Sequence, residues 1–208
     1  MLLLSLKYSV ENYKEQFQRN FLVLILLFLF SIVLDLSRDF IGATSETALI
    51  VHGLVETVGT CFFYSLILNN LLGINKLNTL NFFTYLRINI LYSVLYLLGS
   101  VLLIVPGLYI LTIFYFAPII ALEGKADGGY FKKSKDLVKK SPWSVFVIGI
   151  SLLLLMAVDF WSMGVIAEAN TSTLLKYLGI ILSNLLVVLV DLYLFSVTVF
   201  LYKKLSSN

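Results

Sequence analysis

Ionisable side chains inside apolar stretches are the residues of this chain best suited to chemistry. His52 and Glu56 stand four positions apart in one such stretch, so on a helix they share a face and can interact. An ionisable residue inside a membrane costs about 2.5–3.5 kcal/mol on insertion scales, which makes it a functional candidate. One interpretation is a proton or cation site in the outer half of a membrane. The other is a structural pair that bridges neighbouring helices.

Three further carboxylates occupy similar surroundings. Asp35 and Asp159 lie near the outer ends of two predicted spans, at a depth that would let them join the histidine pair. Asp191 lies deeper, near the middle of the last predicted span, and Asn184 lies seven residues earlier on the same helical face. A carboxylate at that depth either faces the interior of a bundle or stays protonated. We expect a structural or protein-specific role for it.

Catalytic motifs are missing from the sequence. It contains no HExxH, no G-x-S-x-G and no phosphate-binding glycine loop. One histidine and one cysteine, Cys61, are too few for a Cys/His zinc cluster or a disulfide framework. The basic residues are spread along one face of the predicted membrane topology, so nucleic acid is not an expected partner. The sequence therefore predicts a protein that is not an enzyme and needs no cofactor.

Composition indicates a polytopic membrane protein. Of the 208 residues, 60% are hydrophobic and 13% are charged, about half the charged share of a globular protein. We therefore predict a single integral-membrane domain over residues 1–208, an all-α bundle with six transmembrane helices and amphipathic interfacial helices on the cytoplasmic side. The predicted spans are residues 21–36, 48–72, 88–105, 108–122, 142–164 and 174–202.

Pro106 and Gly107 divide the long uncharged run of this chain, which extends for 35 residues from Ile88 to Leu122. One continuous helix of that length would reach ~52 Å, whereas the core of a bilayer is ~30 Å thick. Proline lacks a backbone N–H and glycine tolerates turn conformations. The run therefore predicts two spans joined by a hairpin turn at Pro106-Gly107.

The distribution of basic residues predicts which side each loop occupies. With a cytoplasmic N-terminus, 13 Lys and Arg residues fall on the inner side and 2, Arg38 and Lys176, on the outer side. If Pro106-Gly107 were only a kink, the counts would become 6 and 9. Because inner loops carry the excess of basic residues, the hairpin is favoured and both termini are expected in the cytoplasm.

Amphipathic segments precede the outward spans. Met1–Asn20 places Leu6, Val10, Tyr13 and Phe17 on one face, so we predict a helix that lies in the membrane interface and ends before a separate first span. A second short interfacial helix is predicted before Ile88, with Asn78 or Thr79 as its N-cap.

Asp127–Ser141 is the most basic of these segments. Its narrow apolar face carries Tyr130, Ser134, Leu137 or Val138, and Ser141. The lysines that project around the rest of the helix are Lys132, Lys133, Lys135, Lys139 and Lys140. Each contributes ~1 kcal/mol near an anionic leaflet. We expect this helix to bind anionic lipid. The alternative is that the lysines serve only to set the topology.

One stretch resembles a known family. Residues 104–143, IVPGLYILTIFYFAPIIALEGKADGGYFKKSKDLVKKSPW, are similar to the bacterial inner-membrane family UPF0259, also called YciC-like, and to the membrane domain of some glycerophosphodiester phosphodiesterases. Residues 13–27 and 183–195 add to the likeness. The residues that carry it best are Pro106, Gly107, Pro118, Ser134 and Leu137. The resemblance implies a bacterial inner-membrane protein with a role in envelope homeostasis and without the catalytic barrel of some relatives.

Two functions compete on these observations. The first is a non-enzymatic membrane protein that organises lipid or a partner protein. The second is a small transporter or channel that uses His52, Glu56 and the intramembrane acids, and six spans would then favour a homo-oligomer. A cavity lined by those acids would favour the second function, and a dry bundle would favour the first.

Overall fold

The computed structural model describes residues 2–41, 46–74, 78–102, 104–124, 129–168 and 173–207. Side chains are described in these ranges except at 39–41, 102, 156, 158–168, 173 and 174. The described residues form eight helices: α1 (Leu2–Ile41), α2 (Glu46–Leu72), α3 (Thr79–Leu102), α4 (Ile104–Ile113), α5 (Ala117–Glu123), α6 (Tyr130–Lys139), α7 (Pro142–Glu168) and α8 (Thr173–Ser206). No strand occurs in these ranges, so the predicted all-α class is confirmed.

Within the described ranges, five stretches of helix are long and apolar enough to cross a membrane. They are Leu2–Arg38, Glu46–Leu72, Thr79–Val101, Ile104–Glu123 and Leu175–Ser206. A sixth is obtained if α6 and the first part of α7, bent by 114° relative to each other, count as one broken span. Large apolar side chains such as Leu22, Ile50, Leu97 and Leu186 are exposed on these helices. An apolar surface of this extent suits contact with lipid.

The N-terminal helix differs from the prediction. Residues 2–41 form one continuous helix of 40 residues, about 60 Å long, with no interruption before Phe21. Nothing in Leu2–Ile41 interrupts a helix, because it contains neither proline nor glycine. Likewise α3 runs unbroken from Thr79, and the Oδ1 of Asn78 caps it by accepting from the Leu80 N–H at 3.0 Å. The predicted separation into interfacial helix and span is wrong at both places.

The first half of α1 packs lengthwise against α8 through small and polar side chains. Ser5 and Ser9 are fully buried there, whereas Val10, which the sequence placed on the packing face, is exposed. Small residues four positions apart let two helices approach closely. The hydroxyl of Ser196 donates a hydrogen bond to the Gln16 side chain across this contact. Leu6, Tyr13 and Phe17 of the predicted apolar face do pack into the core, so Val10 is the exception and the buried serines add to the packing face.

Helices α3 and α4 form the expected antiparallel pair, but the reversal lies earlier than predicted. The hydroxyl of Tyr92 in α3 donates to the carbonyl of Leu111 at 2.8 Å, and Ser100 lies against Gly107. Pro106 and Gly107 fall in the first turn of α4, not between the helices. Proline is tolerated there because an N–H in that turn has no helical acceptor. A Cβ at Gly107 would come within 2.9 Å of the Ser100 backbone, so glycine permits the close packing.

The fourth candidate span is broken near its middle. Residues 114–116 separate α4 from α5, because Pro118 lacks the N–H that would continue the helix and its ring crowds the carbonyl four residues earlier. Ser134 of α6 provides hydrogen-bond partners for backbone groups at the break. Its fully buried hydroxyl accepts from the Phe116 N–H at 3.1 Å and donates to the Ile113 carbonyl at 3.0 Å. The break thus fixes where α6 docks.

Several helix ends meet at one end of the bundle. The Lys140 ammonium donates to the carbonyl of Leu205 near the end of α8 at 2.8 Å, and Lys203 donates to the Leu71 carbonyl at the end of α2 at 2.9 Å. The Tyr202 hydroxyl donates to Glu123 at the end of α5. Leu2, Leu6, Leu137 and Val138 pack into the same core as Tyr202 and Leu205. The basic residues near the start of α1, in α6 and at the end of α8 consequently lie around one end.

Candidate functional site

His52 lies at the edge of the bundle and is held by α1. Its Nε2 is 3.0 Å from the Leu34 carbonyl oxygen and 3.1 Å from the Ser37 hydroxyl. The Nδ1 of His52 is 3.9 Å from Glu56, a separation too long for a hydrogen bond, and the Glu56 side chain is 50% exposed. Helical spacing does bring the two residues together, but the principal partners of the histidine are on α1. The contacts of His52 with Leu34 and Ser37 therefore join α2 to α1.

The other predicted acids are distributed among different contacts. Asp35 accepts a hydrogen bond from the Asn184 side chain at 2.6 Å, which joins α1 to α8. Asn184 and Asp191 share a helix face as predicted, yet Asp191 interacts with Tyr64 of α2. Asp159 belongs to α7, but its side chain lies outside the described residues. The described carboxylates are therefore not gathered into one site.

The basic helix α6 does not present its narrow apolar face to lipid. Ser134, Leu137 and Val138 are buried against the protein, which corrects the expectation that this face enters the membrane interface. The helix is also shorter than predicted, since it begins at Tyr130 and ends at Lys139. The apolar face of α6 packs on the protein because the broken span and the end of α8 offer it both apolar contacts and backbone groups that lack hydrogen-bond partners. Lipid offers only the first of these.

The predicted lipid-contact lysines of α6 have unequal surroundings. Lys132, Lys135 and Lys139 are exposed and Lys133 is half-buried. Lys139 lies 3.5 Å from Asp136 in an exposed pair that contributes little stability. Lys140 is bound to the Leu205 carbonyl, where a cation also interacts favourably with the C-terminal end of the α8 dipole. Lys132 and Lys135 thus remain available on the outer face of this helix, and Lys139 is exposed there in its pair with Asp136.

A cavity of about 240 Å³ lies inside the bundle. Five helices surround it, since α2, α3, α4, α7 and α8 contact one another in turn around its wall. Pro118 and Ile119 of α5 and Tyr115 of the helix break also line it, so the interrupted span contributes directly to its shape. A smaller cavity, of ~150 Å³, is enough to hold benzene in a protein core. This one has room for a small organic molecule.

Asp191 is the acid that lines this cavity. It is 6% exposed, and it accepts a hydrogen bond from the Tyr64 hydroxyl, with 2.5 Å between the two oxygens. Bringing a carboxylate into such surroundings is costly unless polar partners compensate for the lost water. None of the described residues that line the cavity is Lys, Arg or His. The cavity wall therefore carries an acidic group on an otherwise largely aromatic and aliphatic surface.

The tyrosines of the wall are fixed by their hydroxyl groups. Tyr92 donates to the Leu111 carbonyl, and the Tyr115 hydroxyl lies 2.9 Å from the Thr198 hydroxyl. Tyr64 is held by Asp191 and packs edge-on against Phe195, with ring centroids 4.8 Å apart. Because these three hydroxyls have protein partners, the orientations of the three rings are set before any ligand enters.

Sequence reasoning missed the aromatic part of this site. Tyr85, Asn89 and Tyr92 recur at spacings of four and three residues in α3, which places them on one face of that helix. Because Asn89 places a polar amide in this stripe inside an apolar span, the sequence could have indicated a site on this face of α3. Tyr64, Tyr115 and Ser134 gave no such signal, because their partners are distant in the sequence.

Metal binding has no support in the described part of the chain. Among those residues, no group of three or more His, Cys, Asp or Glu side chains converges as a metal site requires. Cys61 is buried and accepts a hydrogen bond from Asn89, with 3.2 Å between nitrogen and sulfur.

Comparison with known proteins identifies no relative of this chain. The chain matches no family model, no curated protein and no solved structure.

The contacts of His52 and Glu56 predict unequal effects of removing them. We expect His52→Leu to lower the unfolding free energy by about 1 kcal/mol, because it removes the hydrogen bonds to α1. Glu56→Gln should leave it unchanged, since that carboxylate is half exposed. Thermal unfolding of the purified protein in one detergent compares the two. A loss for Glu56→Gln equal to that for His52→Leu would contradict this assignment.

Proposed function

We propose that this chain is a multi-pass membrane carrier that binds a small solute in the central cavity. The observation that carries the proposal is the cavity of about 240 Å³ around Asp191, within a ring of five helices. A cavity with one of the predicted acids in its wall favours transport over a purely organising role. The histidine pair is not part of the site that we propose.

The broken span supports transport of a solute across the membrane rather than binding alone. Many membrane carriers bind their substrates beside interrupted helices near the middle of the membrane, because exposed backbone groups and mobile half-helices are found there. Here Tyr115 of the break and Pro118 of α5 both line the cavity. A movement of α5 relative to α4 would change the shape of the site. Six spans are few for a monomeric carrier, so we propose a homo-oligomer.

The proposed topology has six spans with both termini in the cytoplasm. Its support is the 13 to 2 distribution of basic residues together with the meeting of α2, α5, α6 and α8 at one end of the bundle. In this arrangement α4 and α5 form one interrupted span, and α7 is a span by itself. The parts of α1 and α8 that exceed ~30 Å would project on the cytoplasmic side.

The bacterial inner membrane is the proposed location. Its support is the resemblance of residues 104–143 to the UPF0259, or YciC-like, proteins, and a role in envelope homeostasis is proposed on the same basis. Lys132, Lys135 and Lys139 would then face the anionic cytoplasmic leaflet. These lysines support lipid binding by the outer face of α6 as a second proposed property, separate from the cavity.

Single cysteines test the topology. In a Cys61→Ala background, Glu46→Cys and Thr173→Cys should react with a membrane-impermeant maleimide added outside spheroplasts. Lys135→Cys and Ser206→Cys should react only after the membrane is permeabilised. Labelling of Lys135→Cys in intact spheroplasts would contradict the proposed orientation, whereas the Glu46→Cys signal serves as the positive control for expression.

Filling the cavity tests the proposed function. A ligand that binds only the folded state raises the unfolding temperature in proportion to RT ln(1 + [L]/Kd). We expect choline or its neutral isostere 3,3-dimethyl-1-butanol to raise the unfolding temperature of the full chain in detergent. Gly149→Leu should abolish that rise, because Gly149 lines the cavity and any side chain there enters it or displaces its neighbours.

Two further measurements make this test decisive. Leu153→Phe, on the same wall, replaces Gly149→Leu if the latter does not fold. Leu22→Phe, on the exposed surface of α1, is the control and should respond like the wild type. If neither compound distinguishes the wild type from the filled variants, the cavity is not a binding site for small solutes and the proposal fails.

A further inference from the structure

The cavity walls combine aromatic rings with a carboxylate, and this combination selects a class of ligand. We propose that the cavity binds a small organic cation, namely an alkylated ammonium group, with Asp191 as its counter-charge and Tyr64 and its neighbours as an aromatic cage. This inference rests on the proposed function and names its substrate class. The lining residues that carry it are Tyr64, Tyr85, Tyr92, Tyr115, Phe195 and Asp191.

Three of the four tyrosines suit a cation because their hydroxyl groups are bonded to protein groups. Tyr64, Tyr92 and Tyr115 are bonded to Asp191, the Leu111 carbonyl and Thr198, respectively. What they add to the cavity wall is consequently their ring surface. Aromatic faces carry partial negative charge and attract cations within ~6 Å of the ring centre, and quaternary ammonium ligands are bound in cages of this type.

The negative charge of Asp191 makes an anionic ligand unfavourable. A carboxylate in a medium of low dielectric constant repels an anion strongly, and no Lys, Arg or His occurs among the described residues of the lining to offset it. A phosphate or carboxylate solute would therefore be repelled by Asp191. A cation gains attraction from Asp191 and from the rings together.

Hydrogen-bonding capacity disfavours sugars and other polyhydroxy solutes, because most polar groups of the lining already have protein partners. Such ligands lose water on entry and need several fixed donors and acceptors in exchange. In this cavity the Asn89 amide donates to Cys61, and the hydroxyls of three tyrosines are bonded to protein groups. A fully alkylated ammonium group requires charge and apolar contact but donates no hydrogen bonds. Its needs match what this wall supplies.

Size limits the ligand further. A volume of about 240 Å³ admits a head group of the size of tetramethylammonium or choline but is too small to enclose a lipid together with its acyl chains. Gly149 keeps one wall clear, because a Cβ at that position would lie 3.3 Å from the Leu111 side chain. We therefore expect small free amines to fit better than amphiphiles.

Choline and 3,3-dimethyl-1-butanol provide the test, because they share shape and differ in charge. Calorimetric titration of the full chain in nanodiscs of neutral phosphatidylcholine-free lipid should give at least tenfold tighter binding for choline. Asp191→Asn, which preserves size, should remove that difference. Tyr64→Phe keeps the ring and should retain the preference for the cation. Glu56→Gln removes a carboxylate outside the cavity and should bind both compounds as the wild type does.

The outcomes separate this inference from the function on which it rests. Equal binding of the two compounds would leave a solute-binding cavity but overturn the assignment of a cationic ligand. A choline preference that persists in Asp191→Asn would overturn the role of Asp191. If neither compound binds the wild type, the proposed function itself fails. Loss of the preference in Glu56→Gln would place the cation site at the edge of the bundle and also overturn the inference.

Discussion

The hydrogen bonds of Ser134 are the interaction on which the organisation of this bundle depends. Pro118 interrupts the fourth span, and the interruption leaves the Phe116 N–H and the Ile113 carbonyl without helical partners. Backbone groups buried without partners cost several kcal/mol in a membrane. A single buried hydroxyl from α6 satisfies both groups. It thereby holds the basic helix against the bundle, and α5 keeps the direction that brings Pro118 and Ile119 into the cavity wall.

Polar contacts elsewhere follow the same constraint. Lipid cannot supply hydrogen bonds, so polar side chains inside the bundle join one helix to another: Gln16 to Ser196, Asn70 to Asn20, Asn184 to Asp35 and Tyr64 to Asp191. Close packing of small residues supports these contacts in the α1–α8 seam and between α3 and α4. Of the four pairs, only Tyr64 and Asp191 lie on the cavity, which is why we assign a ligand to that pair and structural roles to the others.

Local rules made part of this architecture predictable. The all-α class, the limits of α2 and the Asn78 cap follow from apolar length and capping chemistry, which act within one segment. The continuity of α1 and the docking of α6 did not follow, because the same amphipathic pattern fits a lipid surface or a protein groove equally well. Asp191 was recognisable as a buried acid. Its tyrosine neighbours were not recognised, since Tyr64, the α3 tyrosines and Tyr115 come from separate segments that meet only in the folded bundle.

Hydrogen–deuterium exchange across the broken span tests most directly whether Ser134 holds this architecture. In Ser134→Ala, peptides covering residues 113–122 should exchange faster than in the wild type, while peptides of α1 and of the first half of α8 should be unchanged. Ser151→Ala removes an exposed hydroxyl bonded only within its own helix and is the control. Unchanged exchange in residues 113–122, or an equal increase throughout the chain, would contradict the central role of Ser134.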